Sequence, residues 1–160
     1  MQSRTALVCC CIVMIVIPAH AQAPQKPSTD VAAMLQFGFN EVSGWITKSA
    51  ELVPADKFTY QPSKDVRTFG QQIAHVADSY GYYCGRAAGR NAEWSDAVEK
   101  GGTDKATLLA KLEKARLACE AVYKRGGLAP ALMQNIAHTN LHYGNVITYM
   151  RMLGLKPPSS

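Results

Sequence analysis

Four stretches of the chain carry apolar residues at steps of three and four, the spacing of one face of an α-helix. No stretch alternates apolar and polar residues in the way that a half-buried strand does. Residues typical of helix starts and stops border the four stretches. The predicted helices run from the cap Asp30 to about Leu52, from the capping box Thr68-Phe69-Gly70-Gln71 to about Ala87, from Thr103 or Asp104 to Gly126-Gly127, and from Pro130 to Gly154. We therefore expect an all-α protein built as a four-helix bundle.

Two connections between the predicted helices are long. In residues 53–67 we expect Phe58 and Tyr60 to anchor the loop onto the bundle. Residues 88–102 form a polar connection that carries Trp94. A connection of this length spans at most about 50 Å, whereas a helix of about 19 residues is roughly 28 Å long. The second connection can therefore return the chain to the end at which the second helix began.

The first 21 residues have the pattern of a cleaved export signal. Arg4 precedes an unbroken apolar run over residues 6–17, and Ala19-His20-Ala21 matches a small-residue cleavage site. This run is too short to span a membrane, which needs about 20 apolar residues. We expect a periplasmic or secreted protein with a signal peptide over residues 1–21, a flexible leader over residues 22–29, and a single domain over residues 30–158.

The distribution of charged residues bears on which partners the protein can bind. The chain has 17 lysine and arginine residues against 12 aspartate and glutamate residues, and the basic residues are dispersed among the acidic ones. We therefore expect no nucleic-acid partner, and no membrane partner once the signal peptide is removed. Only Cys84 and Cys119 lie beyond the signal peptide, and export makes a disulfide between them chemically permissible.

Three histidines lie beyond the signal peptide, and two of them are four residues apart. His138 and His142 fall in the predicted fourth helix, so their imidazoles would share one face with Cβ atoms about 5–6 Å apart. His75 lies beside the apolar stripe of the predicted second helix. Three imidazoles on two helices of a bundle could hold a divalent metal and leave a coordination position for water or substrate. The alternative is a hydrogen-bonded core histidine and two polar histidines at a helix edge.

A general base is harder to assign. The residue after His138 is a threonine, so the chain lacks the H-E-x-x-H motif of metalloproteases, and it also lacks a P-loop and a dinucleotide fingerprint. Asp78, one turn after His75, either orients that imidazole or is a solvated helix charge. Asn135 and Asn145 could hydrogen-bond a bound ligand. Four tyrosines are more typical of core or interface positions than of acids: Tyr80, Tyr82, Tyr83 and Tyr143.

Three motifs together resemble the DinB-like (DinB/YfiT) superfamily. They are Val53-Pro54-Ala55-Asp56-Lys57-Phe58, the run from Arg67-Thr68-Phe69-Gly70 to Ile73-Ala74-His75, and His138-Thr139-Asn140-Leu141-His142-Tyr143-Gly144-Asn145. The resemblance extends over about residues 31–158. It implies a four-helix bundle in up-down-down-up order, often a homodimer. It also implies a divalent metal, commonly zinc or nickel, bound by His75, His138 and His142.

The resemblance implies several possible activities rather than a single one. Similar proteins include S-transferases of low-molecular-weight thiols and a thiol-dependent isomerase. An acidic residue often stands where this chain has Leu141, and this departure argues against an acid–base or orienting role at that position. We expect an exported, metal-dependent transferase or hydrolase of a small-molecule substrate. The alternatives are a non-catalytic bundle that binds a metal or a small ligand, and a helical interaction module with incidental histidines.

The family topology also bears on the two cysteines. If the second and third helices run parallel, Cys84 and Cys119 lie near the same end of the bundle. A disulfide between them is then geometrically possible, provided that the Cα atoms come within about 7 Å. If these helices are antiparallel neighbours, the cysteines lie near opposite ends and cannot bond. We predict the parallel arrangement.

Overall fold

The computed structural model of the protein describes residues 30–102 and 104–160. The predicted signal peptide and leader, and Thr103, lie outside the described residues. The helices are α1, Val31–Leu52; α2, Phe69–Ala87; α3, Lys105–Lys124; and α4, Ala129–Met152. The described residues contain no strand, so the predicted all-α fold with four helices is confirmed.

The helices begin where the sequence places their caps. The side chain of Asp30 accepts a hydrogen bond from the first turn of α1, and the side chain of Asp104 does the same for α3. Thr68 and Gln71 form the complete capping box of α2, in which each side chain bonds the other residue's backbone N–H. Pro130 stands in the first turn of α4, where its missing N–H costs no helical hydrogen bond. Each start is therefore fixed by local chemistry.

The turn between α3 and α4 packs closely on the end of α2. Gly126 has a φ of 72°, a backbone conformation that favours glycine. At Gly127 a Cβ atom would stand 2.9 Å from the carbonyl oxygen of Ala87, so this position has no room for a side chain. The backbone N–H of Leu128 donates to the same oxygen at 2.8 Å. The turn thereby fastens the start of α4 to the end of α2.

Contacts at the two ends of the bundle establish its topology. At one end, Cys84 of α2 and Cys119 of α3 form a disulfide with their Cα atoms 5.3 Å apart. At the other end, Lys105 at the start of α3 donates to the carbonyl oxygen of Val53, just after α1, at 2.7 Å. The order is therefore up-down-down-up, with α2 and α3 parallel as predicted. The disulfide that the parallel arrangement makes possible is present.

Each helix packs on two neighbours around one core. Helix α1 contacts α3 and α4, and α2 contacts the same two helices, so α1 and α2 lie diagonally across the bundle. Phe39 of α1 fills the centre, where its ring stacks on Tyr123 at 4.4 Å and meets the edge of Tyr80 at 5.4 Å. Because α2 and α4 are direct neighbours, side chains on their facing sides can meet. None of the helices in the described residues has the length and apolar character required to cross a bilayer.

The two long connections are both anchored. In the first, Phe58 is buried and Tyr60 is half-buried, as predicted, and their carbonyl oxygens accept hydrogen bonds from the start of α2. The second connection crosses the outer side of α2 and ends in a short 3-10 helix, Glu99–Gly101. It brings Trp94 and Glu99 next to the histidines of α2 and α4.

Candidate metal centre

The structure brings the three predicted histidines together. His75 projects from α2, and His138 and His142 project from the facing side of α4. The ring of His142 lies with its centroid 4.5 Å from each of the other two rings, and the centroids of His75 and His138 are 5.3 Å apart. One ring nitrogen from each histidine lies within 4.8 Å of the other two. The three side chains therefore form a single cluster that could hold a metal ion.

The spacing between two of these nitrogens fits one metal ion. The Nε2 atoms of His138 and His142 are 3.3 Å apart. Two nitrogens bound to a tetrahedral zinc ion at about 2.0–2.1 Å would lie about 3.3–3.4 Å from each other. The donor set is also suitable, because imidazole nitrogen is the commonest protein ligand of zinc and of other transition metals.

Gln72 fixes the orientation of His142. The Nδ1 atom of His142 lies 2.9 Å from the side-chain oxygen of Gln72, and both side chains are buried. An amide oxygen only accepts hydrogen bonds, so Nδ1 carries the proton and donates it. The Nε2 atom of His142 then has a free lone pair, as a metal ligand requires.

Glu99 has the same role for His75. The Nδ1–H of His75 donates to one carboxylate oxygen of Glu99 at 3.1 Å. The other oxygen of Glu99 accepts from Nε of Arg67 at 2.8 Å. The carboxylate is thereby held from both sides, and the Nε2 atom of His75 is free to bind a metal. Nδ1 of His138 is buried and has no hydrogen-bond partner among the described residues.

Neither of the two alternatives for Asp78, direct orientation of His75 or a solvated helix charge, is correct. The carboxylate of Asp78 accepts hydrogen bonds from the backbone N–H groups of Val98 and Glu99, at 3.0 Å in each case. Asp78 is buried, so it is not a solvated helix charge either. It holds the segment that carries Glu99, and Glu99 in turn contacts the imidazole. The physical reason is that the backbone of residues 98 and 99 uses the carboxylate oxygens of Asp78, so these oxygens do not bond the imidazole.

Burial and charge keep the three imidazoles neutral. Burial first, and then the charges of neighbouring histidines and of Arg67, lower the pKa of His138 to about 4 and that of His142 to about 3. The pKa of His75 is also lowered, first by burial and then by Arg67, although Glu99 opposes the shift. Neutral imidazole is the form that binds metals. At neutral pH the cluster is therefore ready to accept a cation.

Aromatic side chains cover one side of the cluster. The ring of Trp94 lies 5.1 Å from His75 and 6.0 Å from His138, and its indole N–H donates to Asp96 at 2.7 Å. The ring of Tyr83 lies 5.3 Å from His138. These rings limit the access of water to the histidines from that side.

The remaining sequence candidates lie in other environments. Asn135 is fully buried and donates to Tyr123, so it serves the core. Tyr80 and Tyr143 are core residues, as expected for tyrosines at such positions, and burial raises the pKa of Tyr80. Asn145 is exposed and lines a cleft beside Gln72. Tyr82 is half-buried with its ring 5.4 Å from Trp94, and Leu141 is 67% exposed.

Two residues of the site were missed by the sequence reasoning. Gln72 stands three residues before His75 and so shares its helix face, a spacing that could have indicated a contact with the site. Glu99 lies in a connection without periodicity, and no local signal relates it to His75. Its position depends on the path of the whole segment.

The comparison with known protein families agrees with this geometry. A family model described as the DinB superfamily matches residues 46–139, which is more than half of the chain. The matched region contains His75 and His138 and ends shortly before His142. No curated protein and no solved structure shows significant similarity to the chain. The family match, the four-helix topology and the histidine cluster lead to one assignment: the chain belongs to the DinB superfamily.

Proposed function

We propose that His75, His138 and His142 bind one divalent metal ion, and that the protein is a metal-dependent transferase or hydrolase of a small molecule. The observation that carries the proposal is the 3.3 Å separation of the Nε2 atoms of His138 and His142. The hydrogen bonds from Nδ1 of His142 to Gln72 and from Nδ1 of His75 to Glu99 support it, because they leave a lone pair on Nε2 of both rings. Such outer hydrogen bonds are typical of histidines that bind metals.

The proposed metal is zinc or nickel. The ligands are nitrogen atoms only, because Cys84 and Cys119 are joined to each other in a disulfide. Imidazole donors suit zinc, copper, iron and nickel, whereas magnesium and calcium prefer oxygen ligands. The family resemblance favours zinc and nickel within that set.

Three protein ligands leave a coordination position open, which is the arrangement of catalytic sites. When bound, the ion would supply Lewis acidity to a substrate in that position. The chain supplies the surroundings. Gln72 and Glu99 orient two ligand rings, Trp94 covers one side, and an open cleft of about 440 Å³ borders the site next to Glu99 and Arg67. The cleft is the proposed entry for substrate.

A second candidate is a protein that binds a metal or small ligand without turnover. It is favoured by the two carboxylates closest to His75, because both already have partners. Glu99 is bound by Arg67 and His75, and Asp96 is bound by Trp94 and Lys100. Neither is a free general base in this arrangement.

Export is part of the proposal. Its support is the signal-like pattern of residues 1–21 and the Cys84–Cys119 disulfide, since such bonds persist in oxidising compartments. Cell fractionation and N-terminal sequencing test it. We expect an exported chain that begins at Gln22, and a full-length cytoplasmic chain would contradict this part.

Activity assays separate the two candidates. Metal-free, zinc-loaded and nickel-loaded protein would be tested against a panel of thiol-transfer and hydrolysis substrates, with His138→Ala/His142→Ala as the control variant. We expect turnover with a loaded protein and none with the metal-free protein or the variant. Stoichiometric metal binding without turnover across the panel would favour the binding protein. Turnover that survives metal removal would contradict both.

A further inference from the structure

Arg67 lies where two clefts beside the histidine cluster meet. One cleft has a volume of about 440 Å³ and the other of about 730 Å³, and both are lined by Arg67, Gln71 and Glu99. The side chain of Arg67 is 38% exposed, so solvent and solutes reach it. Arg67 and the ring of His75 donate hydrogen bonds to the same carboxylate, that of Glu99.

The guanidinium of Arg67 has unused donors. Its Nε–H donates to Glu99 at 2.8 Å, which leaves the N–H groups on both Nη atoms without a hydrogen-bond partner in the described parts of the chain. Within the part of the chain that the structure describes, Arg67 takes part in one further hydrogen bond, which uses its backbone: the hydroxyl of Tyr149 donates to its carbonyl oxygen at 3.0 Å. The outer part of the side chain is therefore free for a ligand.

The charges around Arg67 favour a monoanion. Among the acids of the smaller cleft, Glu99 is bound by Arg67 itself and Asp96 is bound by Trp94 and Lys100. A divalent ion on neutral imidazoles adds further positive charge, so the loaded site attracts anions. The carboxylates of Glu99 and Asp96 would repel a phosphate dianion more strongly than a monoanion. A carboxylate carries one charge on two coplanar oxygens and matches two N–H groups of arginine.

From these contacts we infer that Arg67 binds a carboxylate group of a small-molecule ligand whose other end reaches the cluster of His75, His138 and His142. The ligand class is therefore a small carboxylic acid with a second, metal-seeking group. The carboxylate subsite presupposes a metal at the histidines, so it rests on the proposed function. The competing explanation is that Arg67 only holds Glu99 in place.

Thiol probes in matched pairs test the inference. Mercaptoacetate, 3-mercaptopropionate and 4-mercaptobutyrate would each be compared with the mercapto-alcohol of the same length, because the thiol seeks the metal in both members of a pair. Binding would be measured on the cobalt-substituted protein from the thiolate-to-cobalt absorption band. We expect at least one acid to bind about tenfold or more tightly than its alcohol, the effect of a charge-assisted hydrogen bond pair.

Two variants test whether Arg67 is the residue that causes the preference for the acid over the alcohol. In Arg67→Met the advantage of the acid over the alcohol should fall about tenfold, whereas in Lys64→Met, which removes another cation from the larger cleft, it should stay at the wild-type size. If Arg67 only held Glu99, Arg67→Met would weaken metal and alcohol binding but would leave the ratio of acid to alcohol affinity unchanged. The ratio thus separates ligand binding from positioning.

Three results would overturn the inference. They are the absence of any preference for an acid in the wild-type protein, a preference of undiminished size in Arg67→Met, and a preference that is lost equally in Lys64→Met. If a variant does not fold, the comparison of acid and alcohol affinity in the wild-type protein still tests whether the site binds a carboxylate. Failure of the protein to bind cobalt or zinc at all would instead overturn the proposed function.

Discussion

At the scale of single residues, the outer hydrogen bonds of the imidazoles distinguish this cluster from three histidines that merely meet in a core. The acceptors Gln72 and Glu99 lie on the Nδ1 side of His142 and His75. Each acceptor fixes the tautomer that presents a lone pair at Nε2. The sequence contains the ligand spacing on α4, but it does not show which side chains hold the rings.

The first prediction concerns Gln72. Replacing Gln72 with Leu keeps the volume and removes the acceptor of the His142 Nδ1–H, so we expect zinc affinity to fall about 10–100-fold. Competition with a chromophoric chelator measures the affinity, and circular dichroism checks the fold. Gln71→Ala is the control, because it removes only the Gln71 side-chain hydrogen bond of the α2 capping box and should cost about 0.5–1 kcal/mol of stability with zinc affinity unchanged. Equal zinc affinity in Gln72→Leu and wild type would contradict the assigned role.

The second prediction concerns acid. With metal removed, folded His138 and His142 titrate at a pKa of about 4 and about 3. In the unfolded chain they titrate near the usual value of about 6.5. Between these values the unfolded state binds more protons, so stability rises with pH in that window and levels off above about 6.5. We expect the Tm of the metal-free protein to fall steadily from pH 7 to pH 5, and to fall less in His138→Gln/His142→Gln. Identical slopes in the two proteins would show that these rings are not buried in the neutral form.

At the scale of elements, the second connection does more than join α2 to α3. Asp78 binds the backbone N–H groups of Val98 and Glu99, and this places the carboxylate of Glu99 against His75. The helices themselves were predictable, because Asp30, Thr68 and Pro130 mark their starts by local chemistry. The connection was not, because its path depends on long-range hydrogen bonds to α2.

The third prediction concerns this anchor. In Asp78→Ala the amides of Val98 and Glu99 lose their acceptor, so we expect faster hydrogen exchange at both amides. Zinc affinity should fall about tenfold because Glu99 no longer holds His75. Mass spectrometry of exchanged peptides and chelator competition measure the two effects. Asp56→Ala, an exposed aspartate in the first connection, is the control and should change neither. Faster exchange at these amides with unchanged zinc affinity would contradict the role of Asp78 in positioning Glu99 for metal binding.

At the scale of the whole molecule, the parallel arrangement of α2 and α3 accounts for both the disulfide and the site. It requires the long return connection, and that connection carries Glu99 and Trp94 past the histidines. Connection length and family resemblance were enough to predict this topology, and the topology made a bond between Cys84 and Cys119 geometrically possible. They could not place the clefts or Arg67, which depend on how the connection packs.

The fourth prediction concerns the disulfide. It closes a loop with a sequence separation of 35 residues, so its removal should lower the free energy of unfolding by about 3–4 kcal/mol. Urea unfolding of Cys84→Ala, Cys119→Ala and the double variant measures this. Each single variant should cost nearly as much as the double, because either change breaks the bond. Additive costs, or two free thiols in the mature wild-type chain, would contradict the pairing.

The metal content of the untagged protein tests the central proposal most directly. We expect elemental analysis to find one zinc or nickel ion per chain in the wild-type protein, or one bound equivalent after titration of metal-free protein. We expect neither in a folded His138→Ala/His142→Ala variant, because a single imidazole cannot retain the ion against a chelator. A wild-type chain that takes up no stoichiometric divalent metal, or a variant that retains the wild-type content, would contradict metal binding by His75, His138 and His142.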